Sequence, residues 1–320
     1  MTDNDAKKAD DSLRTIEARF AGNHLLRSKA PFNPSTDELF GGIAGLVLPV
    51  EQYELLPGLV LSQTFAHVIL PAVMAFAPPH KPHAPHPGPW AALTEQGMEI
   101  SAQLSLAPGE PPLGFDRLNT LWFVTAMLRL RLASPLLMAV IADRPFRDVS
   151  KDTEVAHLIP VELHPRQLRT GKALPPALSD LEWLKDHIVA ASQLMKDSTF
   201  NRVVQTLDSV INVAHAGSGI LIAWAAIEAL LRPGRNRITD RVCKGLAAYL
   251  YPPCADRDRA YPKIISSYEA RGGAVHAGDL PEAEQLEFAF NLARHAVSTA
   301  IEAGALPDID VLLGRWSAKT

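Results

Sequence analysis

From Met98 to Leu106 apolar and polar residues alternate strictly. Met98, Ile100, Ala102, Leu104 and Leu106 fall on one side and Glu99, Ser101, Gln103 and Ser105 on the other. A period of two predicts a strand with one buried face. Residues 43–50 and 59–70 are apolar, rich in β-branched side chains and bounded by turn formers, and predict further strands, as do 136–141 and 155–163. The period changes in 116–133. There Leu118, Leu121, Trp122, Thr125, Leu128 and Leu132 recur at helical spacing, Asp116 is placed to cap the start, and Ser134-Pro135 stops the helix.

Beyond Pro175-Pro176 every periodic segment is helical. Ser179 and Glu182 have capping-box spacing, and Leu181, Leu184, Ile188, Ala191 and Met195 define one face behind them. A second helix is expected from about Ser198, with Val203, Leu207, Val210 and Ala214 inward. Gly217 and Gly219 are expected to separate it from a third, 220–231, which is apolar almost all round and so central in its bundle. A fourth spans 236–250. A fifth is short or kinked at Pro262 and leads to Arg271, and a sixth spans 280–303, with Asp279 and Glu282 at its start and Gly304 at its end. The fold class expected is therefore α+β: a mixed N-terminal domain with strands, then an all-α bundle of antiparallel neighbours.

Composition sharpens the boundaries. The chain has 320 residues and 26 prolines. The prolines cluster, and the Pro175-Pro176 pair reads as the domain boundary. The division expected is a tail over 1–35, an α+β domain over 36–175 that senses a trigger or partner, a helical domain over 176–305, and a C-terminal tail over 306–320. The charged segment 1–14 lacks the apolar core of a signal peptide. Residues 55–80 carry no Asp, Glu, Lys or Arg, but Pro57, Gly58, Ser62, Gln63, His67 and Pro71 break the run of about 20 apolar residues that a membrane helix needs. Cys243 and Cys254 fit neither a disulfide framework nor a zinc spacing, which suits a cytoplasmic location without membrane attachment.

The net charge of −4 advertises no global attraction to nucleic acid, so any basic surface is local. One local excess exists: residues 232–276 hold nine Lys and Arg against four acids. Arg235, Arg237, Arg241, Lys244 and Lys263 are the candidates there for holding an RNA backbone. The other reading is a solvated face with internal ion pairs, such as Arg257 and Arg259 with Asp256 and Asp258. Tyr249, Tyr261 and Tyr268 can stack on bases or belong to the core. His80, His83 and His86 form an H-x2-H-x2-H run between prolines, either a weak metal site or an exposed polyproline-II loop.

Arg271 and His276 bracket a Gly272-Gly273 pair. Residues five apart on a helix differ by about 140°. Two consecutive glycines instead predict a break in the helix, and a turn there is able to bring guanidinium and imidazole to one cleft. Arginine grips phosphate oxygens and histidine moves protons near neutral pH. Together they suit metal-free RNA cleavage, in which the 2′-hydroxyl attacks phosphorus, His276 transfers a proton and Arg271 stabilises the phosphorane; the other reading of the spacing is a surface cation at a helix C-terminus and an ordinary loop histidine. Glu228, a carboxylate on the apolar third helix, must find a partner such as Arg271 or Arg241, or reach solvent.

Residues 220–303 resemble the HEPN superfamily, in particular its Apea-like domains. The residues that carry the resemblance are the apolar segment 223–231, the Arg241 helix, then Tyr268, Arg271, the Val275-His276 pair and Gly278. The family's signature is Arg, four to six residues, then His, and it falls on Arg271 and His276. Gly272 stands where the family usually has a polar residue, and Ala277 intervenes where Gly often follows the His directly. The resemblance implies a HEPN-like bundle, a homodimer with a shared cleft, no cofactor, and an endoribonuclease of a bacterial toxin or antiviral defence system. It also implies RNA, tRNA or another structured RNA included, as a partner, and an antitoxin or defence component as another. The alternative is a non-catalytic HEPN-like module that binds RNA or protein.

Overall fold

The computed structural model describes residues 32–68, 72–76, 89–94, 98–148, 157–162, 175–210, 213, 215–253, 255–276 and 283–317. The architecture is α+β: a six-stranded antiparallel sheet on the N-terminal side, with most helices following it. It divides into two compact units, 1–122 with 137–164, and 123–136 with 165–320.

In the first unit, β1 (Leu39–Ala44), β2 (Gln52–Leu56), β3 (Leu59–Val68), β6 (Met98–Leu106), β7 (Leu137–Ala142) and β8 (Leu158–Pro160) form one sheet of order β2-β3-β6-β1-β7-β8. Strands β4 (Ala72–Phe76) and β5 (Pro89–Thr94) form a separate hairpin. The strict alternation of 98–106 is strand β6, which pairs with both β1 and β3. Its Ile100, Ala102 and Leu104 are fully buried. The expected strand over 43–50 is corrected: β1 ends at Ala44, where Gly45 at φ +82° turns the chain out of the sheet. Of the expected strand over 155–163, only Leu158–Pro160 pairs, against β7. Phe40, Ile100, Leu137, Val140, Ala142 and Phe146 close a core cluster in this unit.

Helix α1 (Arg117–Leu132) starts as expected, with Asp116 Oδ1 accepting from Asn119 N at 2.8 Å. Its segment from Phe123 onward belongs to the helical unit rather than to the sheet. Apolar packing of Ala126, Met127 and Leu130 near Val204, Leu207 and Phe290 holds it there, together with its cations. Arg129 pairs with Asp208, Arg131 pairs with Asp180, and Arg294 caps the α1 carbonyls of Leu130 and Arg131.

The helical unit continues with α2 (Leu178–Leu194), α3 (Ser198–Ser209), α4 (Ala216–Leu231), α5 (Ile238–Leu250), α6 (Ala255–His276), α7 (Ala283–Ala303) and α8 (Ile309–Ser317). Helix α2 buries Leu181, Leu184, Ile188 and Ala191, the face that the periodicity defines. Its cap differs from expectation. The helix starts before Ser179, and Asp180 Oδ2 reaches back to Ala177 N at 3.0 Å, so Ser179 and Glu182 form no capping box. Helix α4 packs against α3, α5, α6 and α7, the central place expected of an all-apolar helix.

Gly217 and Gly219 do not interrupt the chain but lie inside the first turns of α4. A Cβ at Gly219 would come within 2.6 Å of Leu286 Cδ1, so glycine admits α7 to close packing. The stop at Gly304 is a C-terminal cap at φ +63°, with Gly304 N donating to Ile301 O at 3.1 Å and Ala305 N to Ala300 O at 3.2 Å. The expected C-terminal tail is corrected: α8 packs on α5 through buried Ile309 and Leu312. Of the expected short or kinked fifth helix, the short form is corrected: α6 runs from Ala255 to His276 with Pro262 inside it. Asp279, Glu282, Cys254 and the His80–His83–His86 run lie outside the described residues.

Candidate functional site

Helix α4 carries Trp224 and Glu228 one turn apart, and α6 presents Ser267, Tyr268 and Arg271 to them. Trp224 is fully buried. It donates from Nε1 to Ser267 Oγ at 3.2 Å, and its ring meets Tyr268 edge-on, centroids 4.9 Å apart at 81°. Such an aromatic pair adds about 1 kcal/mol to the burial of its area. This seam fixes the register of α6 on α4 and so aims the polar groups one turn further on.

There Tyr268 OH donates to Glu228 Oε1 at 2.7 Å. Arg271 Nη2 lies 3.3 Å from the same oxygen and 3.4 Å from Oε2, and Arg271 Nη1 donates to Tyr268 OH at 3.3 Å. The guanidinium carbon sits 5.1 Å from the Tyr268 ring centroid. Of the partners open to Glu228, it has Arg271 and not Arg241. Burial pushes the Tyr268 phenol up from its ordinary pKa, the Glu228 carboxylate adds to this, and Arg271 opposes it. The phenol therefore stays protonated and donates to Glu228.

The Arg271 side chain remains 30% exposed. One bond from each Nη group leaves each a second N–H for a ligand oxygen, because a guanidinium has five donors in a planar fork. Its Nε is buried and bonds no atom among the described residues.

The expected turn between Arg271 and His276 is corrected. Helix α6 continues through Gly272 and Gly273 and ends at His276. The two positions are thus about 140° apart around one axis and about 7.5 Å apart along it. Glycine in a helix costs about 1 kcal/mol relative to alanine. Packing of Ile264, Ser267 and Tyr268 just upstream holds the helix together. Gly272 has helical backbone and nothing within 4 Å of where a Cβ would stand. Gly272→Ala is accordingly expected to stabilise the helical unit by about 0.5–1 kcal/mol, read as a higher urea midpoint at unchanged slope. A lower midpoint would show that the backbone here is not helical in solution.

The candidate RNA-binding cations separate into two groups. Arg235, Arg237 and Lys263 are exposed. Arg241 donates from Nε to Pro233 O at 2.7 Å and from Nη2 to Asp310 Oδ1 at 2.6 Å, so it ties α8 to the α4–α5 connection. Lys244 pairs with Asp240 at 2.7 Å. Arg257 is buried, with Nη1 donating to Arg315 O at 3.3 Å and its guanidinium 5.2 Å from the Trp316 ring. Arg259 pairs with Asp256. Of the tyrosines, Tyr268 is buried in the seam, and Tyr261 packs on Trp316 at 4.5 Å.

Trp224 and Ser267 escape a search for chemistry in the sequence, since both look like core residues. The one signal for Trp224 is its spacing of four from Glu228, which places the two on one helix face. Among the described residues no cluster of three or more potential metal ligands occurs, and no helix is long and apolar enough to cross a membrane. Comparison with protein-family models, with curated proteins and with solved structures finds no match to this chain.

Proposed function

We propose that the helical unit is a HEPN-like RNA-cleaving module that acts without a metal as a homodimer. Arg271 stabilises the phosphorane and His276 transfers the proton. The observation that carries this reading is the Glu228–Tyr268 clamp. It holds a part-exposed guanidinium in one orientation while leaving N–H groups free for phosphate oxygens. A positioned cation of this kind contributes most when charge develops beside it. The spread of Arg271 and His276 around α6 favours a cleft completed by a second copy. Arg235, Arg237 and Lys263 are the exposed cations available to the RNA backbone. The N-terminal unit is assigned the sensing of a trigger or partner. It carries a 340 Å³ cleft with Ser62, Gln103 and Ser105 among its walls. A role in toxin or antiviral defence rests on the family resemblance.

A second reading, a non-catalytic module that binds RNA or protein, is favoured by the unbroken helix between Arg271 and His276. The two separate in one experiment. Wild type, Arg271→Ala and His276→Ala are incubated with total tRNA and with a structured RNA in EDTA, and RNA binding is followed in parallel. Cleavage by wild type that falls at least about a hundredfold in both variants, with products ending in 2′,3′-cyclic phosphate, supports the nuclease. Binding without cleavage in any sample supports the binding module.

A further inference from the structure

A second polar cleft, of 550 Å³, opens in the helical unit between α1, α2, α5 and α7, and it shares no residue with the Arg271 site. Its walls are unequal in what they offer. Asp180 has both carboxylate oxygens engaged, Oδ1 by Arg131 Nε at 2.8 Å and Oδ2 by Ala177 N at 3.0 Å. Glu302 accepts at Oε1 from Trp183 Nε1 at 2.8 Å. Three of the four carboxylate oxygens at the cleft are therefore occupied.

The donors, by contrast, are largely free. Arg131 spends Nε on Asp180 and holds its guanidinium 5.1 Å over the Trp183 ring, which leaves both Nη groups. Arg294 spends Nη1 on Leu130 O and Arg131 O and Nε on Asn291, which leaves Nη2. Tyr251, His295 and Ser298 also line the cleft, and their side chains bond nothing among the described residues.

Two guanidiniums, two hydroxyls and an imidazole thus face a space whose carboxylates are mostly satisfied. Its free hydrogen-bonding capacity is that of a donor set, which is what an oxyanion requires. Burial and the charges of Arg294 and Arg131 hold the His295 imidazole below its ordinary pKa, against a smaller opposing effect of Glu302. The ring nitrogens therefore sit within the field of both arginines.

We propose that this cleft binds the phosphate monoester group of a small ligand. Arg131 and Arg294 grip the phosphate oxygens, and Ser298 and Tyr251 complete the set. The volume falls within the range of about 300–1,000 Å³ usual for small-molecule sites and leaves room for a group of nucleoside size beside the phosphate. Along the sequence only Arg294, His295 and Ser298 are neighbours, on one stretch of α7. Arg131 and Tyr251 reach the cleft through the fold.

The test is calorimetric titration of the full chain with inorganic phosphate and with a nucleoside 5′-monophosphate, with sodium chloride at matched ionic strength as control. Saturable binding at one site per chain is expected, weakened at least about tenfold in Tyr251→Phe/Ser298→Ala. That variant removes two hydroxyls and leaves the ion pairs intact, and an unchanged thermal melt shows that it is folded. Arg131→Gln is expected to abolish binding. Absence of saturable heat up to about 10 mM phosphate overturns the proposal, as does equal affinity in wild type and the double variant. Displacement of bound phosphate by a short RNA lacking terminal phosphates overturns the small-ligand assignment. Because no residue is shared, loss of phosphate binding leaves RNA cleavage by Arg271 and His276 a separate question.

Discussion

Asp208→Leu is expected to destabilise the helical unit by about 3–5 kcal/mol, because it removes the carboxylate paired with a buried cation. Arg129 is 2% exposed and donates from Nη1 to both oxygens of Asp208, at 3.0 and 3.1 Å, and from Nε to Leu136 O at 2.7 Å. Around the pair lie Leu130, Val204, Leu207, Phe290 and Val297. In those largely apolar surroundings, loss of the Asp208 carboxylate removes two charge-assisted bonds from a buried guanidinium. The double variant Arg129→Met/Asp208→Leu is expected to recover most of the loss, since two packed apolar side chains replace both charges. Urea unfolding of wild type, both single variants and the double variant gives the coupling directly. If the double variant is no more stable than Asp208→Leu, the charge left behind is not what destabilises the single variant.

The largest effect in the sheet unit is expected from Arg117→Met, a loss of about 4 kcal/mol. Arg117 is buried at 4% exposure, and its guanidinium donates to four main-chain carbonyls. They are Asp37 O at 2.6 Å, Gly109 O at 2.7 Å, Ala107 O at 2.8 Å and Leu106 O at 3.2 Å. It thereby ties the entry to β1, the exit of β6 and the start of α1 into one corner. Methionine fills similar volume but leaves these acceptors without their charged donor, at about 1–3 kcal/mol for each one that water does not reach. Peptide-resolved hydrogen exchange checks this. Amides of β1 and β6 are expected to exchange about a thousandfold faster, with α4 and α7 unchanged. Equal acceleration in α4 and α7 would contradict a role confined to the sheet unit.

The helical half was legible in outline. Helices α2, α3, α4 and α7 carry inward faces that repeat at the helical period, and Gly304 stops α7 where a left-handed cap is needed. Signals that depend on one residue are less decisive. Ser179 has a capping residue's chemistry, but Asp180 satisfies the cap from one position later. Gly217 and Gly219 look like breaks. Yet Gly219 is where α7 comes close, and helix and close approach ask for the same residue. In 306–320 a signal was present that a tail does not have: Ile309, Leu312, Leu313 and Trp316 fall at helical spacing behind Asp308, whose Oδ1 caps α8, and Ile309 fills the groove beside α5.

At the candidate site, the chemistry of Arg271, Glu228 and Tyr268 was visible as residue types, and the Glu228–Arg271 pair as one of two alternatives, but the place of Tyr268 between them was not. Glu228 and Tyr268 are 40 residues apart. Which of the nearby cations Glu228 would hold depended on how α6 is rotated against α4. That rotation follows from Trp224, Ser267 and Tyr268 packing in one seam.

By itself the sequence determined the identity of most elements, the α+β order and the central place of α4. These follow from hydrophobic period and from an apolar surface that must be buried on every side. Only the tertiary structure decided the rest. It carried α6 through Gly272 and Gly273, because the modest helix penalty of glycine is smaller than the packing of a long helix against its neighbours. It joined Arg129 to Asp208, Arg241 to Asp310 and Arg131 to Asp180. An ion pair needs its charges within about 4 Å of each other, so partners distant in sequence are chosen by the fold that brings them together.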